Sequence, residues 1–401
     1  MAKRNDDVLG ADPRPRAFRI ANPPTGLERP PAPADPWRVA VRAWGRSVAG
    51  MQKEVLVATS ADDALWRLTS DEGGDLNGHD EAPFPLGHMA TGLTASWASE
   101  VIALAAQRGV RLSDLRVVLD SRYTMEGSAL RGTMVGGAQA PEVRVEARSH
   151  IDSAAFRLLV CDALGVATAS GLLRAAVPGR FALAVNGRRV KTDSAVDGEL
   201  PQAPGDRLGA LTHNEGPGLA GPLMERAVPD PDELRAGDGG GGLQEAQSRV
   251  VRVRGTCTVR EDGVKAVTQQ LLAPAGGSAW RSLSDEAPSA GGLGRAPDAA
   301  SYMAAGLVFC FLTQLGRYAA IMRRELQGYE VIQDLELPVG GASGGTGQAG
   351  TAGPAITSVF LSTSEDEVFA RTALLMGEQT CFLHALCRTP LAPRVATRLL
   401  G

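Results

Sequence analysis

The chain has 401 residues, of which 44% are hydrophobic, and a net charge of −4, so it is long enough for two or three ordinary domains. Because no block of Lys or Arg dominates, the charge argues against nucleic acid or an anionic membrane as the main partner. No run of the sequence reaches the roughly 18 apolar residues that span a bilayer. The N-terminus has early acidic residues and no apolar segment, so we expect a cytoplasmic location.

The regions between the predicted elements are distinguished by composition. Residues 1–36 are rich in Pro, Arg and Ala and predict a disordered Pro-rich tail. Residues 201–247 are rich in Gly and Pro and predict a linker. A Gly-rich run at 340–353 predicts a long mobile hairpin loop. These boundaries leave a first half, residues 37–200, and a second half, residues 248–401.

The two halves contain related segments at one constant spacing. Trp-Arg-Leu-Thr-Ser-Asp-Glu at 66–72 returns as Trp-Arg-Ser-Leu-Ser-Asp-Glu at 280–286, which is 214 positions later. Met-Ala-Thr-Gly-Leu at 89–93 returns as Met-Ala-Ala-Gly-Leu at 303–307, again 214 positions later. A constant spacing over a long stretch indicates a tandem duplication with few changes of length.

Each half has the same order of predicted elements. Asp152 and Asp366 are suited to cap the second helix of each half. The long helices, at 87–108 and 299–326, are apolar nearly all round, so we expect them to be buried. This order predicts an α+β fold with helices packed on antiparallel sheets. The predicted strands are at 37–43, 115–120, 143–147 and 180–185 in the first half and at 249–259, 330–337 and 356–362 in the second.

The five cysteines form an odd and sparse set, which is not typical of a disulfide scaffold. Each thiol is therefore either a buried apolar residue or a reactive group, and a single cysteine in an apolar helix more often only packs. The cysteines are Cys161, Cys257, Cys310, Cys381 and Cys387.

Two of these cysteines form a pattern with a nearby strand end. Cys310 follows Ala-Ala-Gly at 304–306 in the long helix of the second half, and Cys381 lies 71 positions later on another helix. A strand ends at Arg260, which is followed by Glu-Asp-Gly. The order and spacing of the three motifs resemble the OsmC/Ohr family of thiol-dependent peroxidases, and the resemblance covers residues 37–190 and 249–401.

The resemblance implies a fold as well as an activity. The family forms an intertwined homodimer in which two helices are enclosed by sheets, so two OsmC-like modules in one chain would form a fused pseudo-dimer. Cys310 would attack a peroxide, and Cys381 would resolve the sulfenic acid to a disulfide, with Cys387 as an alternative resolving thiol. An external dithiol or thiol carrier would reduce the disulfide. This peroxiredoxin-like chemistry implies no cofactor.

The catalytic cation of the family matches Arg260 in this sequence. Arg46 is its counterpart 214 positions earlier, and in a fused dimer either guanidinium would activate the thiol and orient the peroxide. Asp298 or Glu286 would orient the arginine. The family has a Glu ten residues before the first cysteine, and this chain has Ala300 there.

The first half lacks the family cysteines, because Ser96 and Ala167 occupy the two positions. A single reactive centre is therefore expected, with the first half structural. The alternative is a non-enzymatic pseudo-dimer that binds an apolar ligand or partner between the repeats, with the cysteines as packing residues. The spacing of Cys381, His384 and Cys387 drifts around a helix and lacks a fourth ligand, so we expect no metal.

Overall fold

A computed structural model describes residues 7–192, 200–205, 219, 221–229, 247–274 and 278–401. The helices are α1 (Val8–Ala11), α2 (Pro85–Gln107), α3 (Ser153–Val166), α4 (Thr168–Ala175), α5 (Ala299–Ile321), α6 (Glu367–Thr380) and α7 (Phe382–Arg388). The strands are β1 (Ala17–Arg19), β2 (Arg38–Ala49), β3 (Gln52–Thr59), β4 (Leu65–Ser70), β5 (Leu112–Gly127), β6 (Val135–Ala138), β7 (Glu142–Ser149), β8 (Arg180–Val185), β9 (Arg188–Val190), β10 (Met224–Arg226), β11 (Gln247–Val259), β12 (Lys265–Ala273), β13 (Ala279–Ser284), β14 (Gly328–Pro338), β15 (Ile356–Ser362) and β16 (Arg394–Leu399). The predicted α+β class is confirmed, and Asp152 and Asp366 cap α3 and α6 as expected.

Each of the two sheets takes strands from both halves of the chain. The first sheet has the order β1-β4-β3-β2-β14-β15-β8-β9, and the second has β10-β13-β12-β11-β5-β7-β16, with β6 paired to β5. The halves meet where β2 pairs with β14 and where β11 pairs with β5. In each sheet the strands of one half are therefore completed by strands of the other.

The sheets are mixed, although the sequence predicted antiparallel ones. β8 pairs parallel to β15, and β16 pairs parallel to β7. The helix pairs α3–α4 and α6–α7 precede these two strands. Each helix pair carries the chain from one sheet to the other, where the last strand pairs with a strand of the opposite half.

The two halves correspond at two slightly different spacings. α2 and α5 have 23 residues each and begin 214 positions apart, and α3 and α6 repeat the same spacing. In the first hairpins, Arg46 pairs with Glu54 and Thr258 pairs with Ala266, which gives a spacing of 212. The two-residue difference lies in the β12–β13 hairpin, where Gln270 pairs with Ala279, whereas Ala58 pairs with Leu65 in the β3–β4 hairpin.

α2 and α5 cross at the centre of the molecule at two glycines. A Cβ atom at Gly92 would lie 2.7 Å from the carbonyl oxygen of Ala299, and one at Gly306 would lie 2.9 Å from the backbone nitrogen of Met89. Only glycine allows so close an approach between helices. Both glycines belong to the repeated Met-Ala-x-Gly-Leu segments, so this motif is explained by helix packing.

The helices lie between the sheets. α5 packs on β2 and β3 of the first half, and α2 packs on β11 and β12 of the second half. α5 is long and apolar enough to cross a membrane, but 94% of its most apolar window is buried inside the protein. It has the character of a core helix.

Part of the predicted disordered tail is structured, which corrects that expectation. β1 pairs with β4, and Phe18 and Ile20 pack with Trp44 on the outer face of the first sheet. Within the predicted linker, β10 pairs with β13 and buries Met224. These edge strands have three residues each, too few for a periodic pattern in the sequence. Residues 1–6 and most of 206–246 lie outside the described residues.

The Gly-rich segment between β14 and β15 packs against α2. The buried Glu100 carboxylate accepts hydrogen bonds from the backbone N–H of Ala342 and from Ser343. Ala352 donates its backbone N–H to Gly171 at 3.1 Å. The segment is thus tied to the core at two points.

The helix crossing gives a prediction about stability. Gly92→Ala is expected to lower the free energy of unfolding by about 1–3 kcal/mol, because the new methyl group overpacks the crossing. Gly165→Ala on α3 is the matched control, since a Cβ there meets no atom within 4 Å. Helix propensity should make that control neutral or stabilising. Urea denaturation of both variants measures the difference, and equal effects would contradict the role of the crossing.

Candidate thiol site

Cys310 and Cys381 meet in the core between α5 and α7. Cys310 lies in the middle of α5, and Cys381 is the residue between α6 and α7. The Cys310 thiol lies near enough to the Cys381 side chain and to the backbone N–H of Leu383 for both groups to affect its pKa. Both cysteines are free thiols. The structure therefore places the two cysteines near each other.

A small pocket reaches Cys310 from the surface. Its volume is about 40 Å³, enough for a water-sized molecule or the hydroperoxide end of a larger one. Most of the wall is apolar, whereas Glu72 and Arg317 contribute charge near the thiol. At the same pocket Arg249 forms an ion pair of 2.7 Å with Asp75. The lining side chains include Leu76, Phe84, Pro85, Leu86, Val251, Leu271, Pro274, Gln314 and Phe382.

Three charged side chains from separate elements surround the thiol. Lys53 on β3 is fully buried and interacts electrostatically with Glu72 and Cys310. Arg317 lies seven residues after Cys310 on α5, two helical turns along the same face, and interacts with Glu72. Lys53 and Glu72 come from the first half and the thiols from the second. The site is thus assembled from both halves.

Burial lowers the pKa of the base in this cluster and raises the pKa values of the acids. Desolvation lowers the pKa of Lys53 to about 8 and raises the pKa of Glu72 to about 7. Desolvation also raises the pKa of Cys310 well above its usual value, and the Cys381 thiol adds to this effect. The Leu383 N–H opposes it, because a donor favours the thiolate. Reactivity of Cys310 therefore depends on the neighbouring cations.

His384 extends the line of reacting groups beyond Cys381. Its Nδ1 atom lies 3.2 Å from the Cys381 sulfur. Desolvation lowers the pKa of His384 to about 4, so the ring is neutral near pH 7. Cys387 is buried nearby, and burial raises the pKa of its thiol to about 12.

Neither predicted arginine reaches Cys310, which corrects the expected source of the activating cation. Arg46 forms an ion pair of 2.6 Å with Glu54. Its neighbour Gly45 faces Val308 on α5, so strand alternation turns Arg46 to the outer face of the sheet. Arg260 lies beyond the end of β11 and pairs at 3.0 Å with Asp262. The hairpin spacing of 212 makes Thr258, and not Arg260, the counterpart of Arg46.

The two predicted orienting acids lie at a different place. Asp298 caps α5, twelve residues or about 18 Å along the helix from Cys310. Glu286 accepts a hydrogen bond of 3.0 Å from Ser99. The acid beside the cysteines is Glu72, which occupies in the first half the position of Glu286 in the second.

The corresponding place around Ser96 keeps the backbone donor and lacks the thiols. Ser96 accepts from the backbone N–H of Ala169 at 3.0 Å, and the corresponding N–H of Leu383 lies near Cys310. Lys265 takes the place of Lys53 at the hairpin spacing of 212, and Ala103 takes that of Arg317 at 214. The lysine and glutamate are thus present twice, and the cysteines and Arg317 once.

Sequence reasoning missed Lys53, Glu72 and Arg317, although each carried a signal. Lys53 shares a strand face with Val55 and Val57 in a strand that is buried throughout. Glu72 ends the repeated Ser-Asp-Glu segment, and Arg317 stands at helical spacing from Cys310. In each case the signal was a charged side chain at a position where the sequence pattern predicts a buried residue.

The remaining cysteines lie away from this cluster. Cys161 is exposed on α3. Cys257 is buried on β11, and burial raises the pKa of its thiol to about 12. Within the described ranges, no group of three or more His, Cys, Asp or Glu residues could hold a metal ion.

Comparison with known proteins gives little. No protein-family model matches the chain, and no curated protein matches it. Among solved structures, an OsmC-like hydroperoxide resistance protein from Jannaschia sp. CCS1 is 23% identical, with a TM-score of 0.19, and the match covers 32% of this chain and 80% of that chain. A likeness this weak carries no argument about this chain.

The buried lysine predicts a dependence of stability on pH. Between about pH 8 and 10.5 the unfolded chain binds the Lys53 proton more tightly than the folded chain, so the free energy of unfolding rises with pH. Lys53→Met removes this increment, which amounts to at most about 3 kcal/mol. Chemical denaturation across that window measures the free energy of unfolding of both proteins. The value for wild type minus the value for Lys53→Met should therefore increase with pH. A difference independent of pH would contradict the buried charge.

Proposed function

We propose that the protein is a thiol-dependent peroxidase that reduces organic or hydrogen peroxides through Cys310 and Cys381. The observation that carries the proposal is the proximity of Cys310 to Cys381 at a pocket that Cys310 and Arg317 line, with the buried Lys53 near enough to interact with the Cys310 thiol. A pair of packing cysteines needs neither the pocket nor the cations. The small, largely apolar opening suits the hydroperoxide group of an organic peroxide.

The first step is oxidation of Cys310. The thiolate attacks the distal oxygen of the peroxide, the O–O bond breaks, and the alcohol or water leaves with a proton. Lys53 and Arg317 favour the thiolate electrostatically and stabilise the charge on the leaving oxygen. Glu72, with a pKa of about 7, holds a proton that the leaving group can take. The product is a sulfenic acid on Cys310.

The second step forms a disulfide. The Cys381 sulfur attacks the sulfenic sulfur, and the hydroxyl group leaves as water. An external dithiol or thiol carrier then reduces the disulfide by exchange, which restores both thiols. Cys387 is the alternative resolving thiol, but the thiol that adds to the raised pKa of Cys310 is that of Cys381. No prosthetic group enters this cycle.

We further propose that the chain is a fused pseudo-dimer that arose by duplication. The spacing of 214 between α2 and α5, and the pairing of each half's strands with those of the other, support this reading. One half supplies Lys53 and Glu72, and the other supplies the thiols. A site of this kind needs both halves but not two sets of cysteines.

The cavity beside the start of α5 does not favour the non-enzymatic alternative. A cavity of about 310 Å³ opens beside α2 and the start of α5, but it is lined by Glu286, Asp298 and Arg38. Burial and the nearby Glu286 carboxylate raise the pKa of Asp298 to about 7. Carboxyl groups in the wall do not suit an apolar ligand.

Replacement of the buried lysine tests the proposed activation of Cys310. Lys53→Met should slow the reaction of Cys310 with peroxide by about 10- to 100-fold, because removing the cation raises the pKa of the thiol. In wild type the rate should rise with pH and still be rising at about pH 9, because burial holds the pKa of the Cys310 thiol well above its usual value. Stopped-flow mixing with cumene hydroperoxide, followed by mass spectrometry of Cys310, measures both effects.

Lys265→Met is the matched control, since Lys265 occupies the corresponding strand position beside the half that has no family cysteine. It should leave the rate unchanged. Cys310→Ser should abolish peroxide consumption, and Cys381→Ser should leave a trapped sulfenic acid. Peroxide consumption that survives Cys310→Ser, or oxidation confined to the exposed Cys161, would contradict the proposed function.

A further inference from the structure

The contact between His384 and Cys381 is a feature that disulfide formation as described above does not use. The Nδ1 atom lies 3.2 Å from the Cys381 sulfur. The ring is held between Phe181 and Phe311, with centroid distances of 5.3 and 5.6 Å. Its side chain is only 2% exposed. These contacts fix the imidazole with one nitrogen directed at the sulfur.

The other ring nitrogen is unusual for a buried histidine. Nε2 is buried and has no hydrogen-bond partner among the described residues. Buried polar atoms in proteins are almost always paired, so an unpaired one calls for a reason. Phe or Leu would fill the space without this cost, so we take the contact that Nδ1 makes with Cys381 as the reason for a histidine here.

The half without the thiols also lacks the histidine. At the spacing of 214, Cys310 corresponds to Ser96, Cys381 to Ala167, and His384 to Ser170. Ser170 accepts a hydrogen bond of 2.9 Å from the indole N–H of Trp97, an ordinary packing role. The histidine therefore accompanies the cysteines and not the fold.

We propose that His384 is the proton acceptor for Cys381 when this thiol attacks the sulfenic acid of Cys310. This inference rests on the proposed peroxidase function and assigns a residue to its second step. His384 touches a reacting atom, so its role is direct and does not act through another side chain.

The step balances without any further reactant. The S–H bond of Cys381 breaks as its proton moves to Nδ1, and the sulfur electron pair forms the S–S bond with Cys310. The S–O bond of the sulfenic acid breaks, and the leaving hydroxide takes the proton from the imidazolium as water. The histidine ends neutral, and the net change is one disulfide and one water.

The charges around the ring allow it to act as an acceptor. Glu378 favours the protonated ring and Arg388 opposes it, and burial outweighs both, so the pKa of His384 falls to about 4. The aromatic residues on either side carry no charge. The ring is thus neutral before the step, as an acceptor must be, and holds the proton only while the hydroxide leaves.

The test separates the two steps in time. A stopped-flow experiment on the full chain with cumene hydroperoxide follows oxidation of Cys310 as the first phase and disulfide formation as the second. Dimedone added during the reaction traps the sulfenic acid of Cys310 for mass spectrometry. His384→Asn retains a hydrogen-bonding group near Nδ1 but cannot accept the proton, and His384→Phe retains only the aromatic packing.

Both variants should complete the first phase within about two-fold of the wild-type rate. The second phase should slow by about 100-fold or more, and the trapped sulfenic acid should accumulate, as expected when a general base is lost. Ser170→Ala is the matched control at the corresponding position and should leave both phases unchanged. Cys381→Ser marks the limit at which the second phase is absent.

The possible outcomes separate this inference from the function on which it rests. A second phase of wild-type rate in His384→Asn or His384→Phe would overturn the inference and leave the peroxidase function standing. Loss of both phases together would assign the histidine a structural role and also overturn it. Absence of any oxidation of Cys310 in the wild-type protein would overturn the proposed function and this inference together.

Discussion

The close crossing of α2 and α5 is the constraint on which the rest of the structure depends. Each helix is apolar nearly all round, so water must be excluded from every side of the pair. Neither half has enough sheet to do this, and each helix packs on the hairpin strands of the other half. The shared sheets follow from this requirement, because β14 and β5 must each join the hairpin of the opposite half. The halves are therefore not independent folding units.

The same interleaving decides how the thiol site is built. A residue on β3 or after β4 lies beside the helix of the opposite half, so Lys53 and Glu72 face Cys310 and not Ser96. The corresponding place in the other half has a lysine and a glutamate beside Ser96. At that place the Glu286 carboxylate accepts a hydrogen bond from the Ser99 hydroxyl. The lysine and the glutamate are therefore present in both places, and the two cysteines are present in one.

The sequence allowed the framework to be predicted better than the site. Long apolar helices, capping aspartates at 152 and 366, and most central strands follow from local periodicity and were found in place. Cys310 and Cys381 were paired through a family resemblance, and the structure places them together. The prediction that Arg260 lies at the site was wrong. The β12–β13 hairpin is two residues longer than its counterpart, so the strands before it correspond between the halves at a spacing of 212 and not 214. A constant spacing read from later segments could not reveal that difference.

Other failures have equally local causes. Strand alternation, which turns Arg46 outward, depends on a register that the sequence does not state. β1 and β10 are stabilised by pairing with β4 and β13, an interaction remote in the sequence. The parallel pairing of β8 and β16 likewise depends on where the preceding helices return the chain. The placement of residues that depend on such long-range pairing cannot be predicted from the local periodicity of the sequence.

The two places also differ in their charged side chains. Around Cys310, Arg249 pairs with Asp75, and Asp71 accepts from backbone N–H donors of its own loop. Lys53, Arg317 and Glu72 complete the set, so that three cations face three carboxyl groups.

At the corresponding place Ala103 replaces Arg317, and the Glu286 carboxylate lies near Asp298, whose pKa it helps to raise. An unpaired charge in a low-dielectric interior is costly, so a buried cation needs an anion nearby. Arg317 has the Glu72 carboxylate as such a neighbour, and Ala103 in the other half needs none.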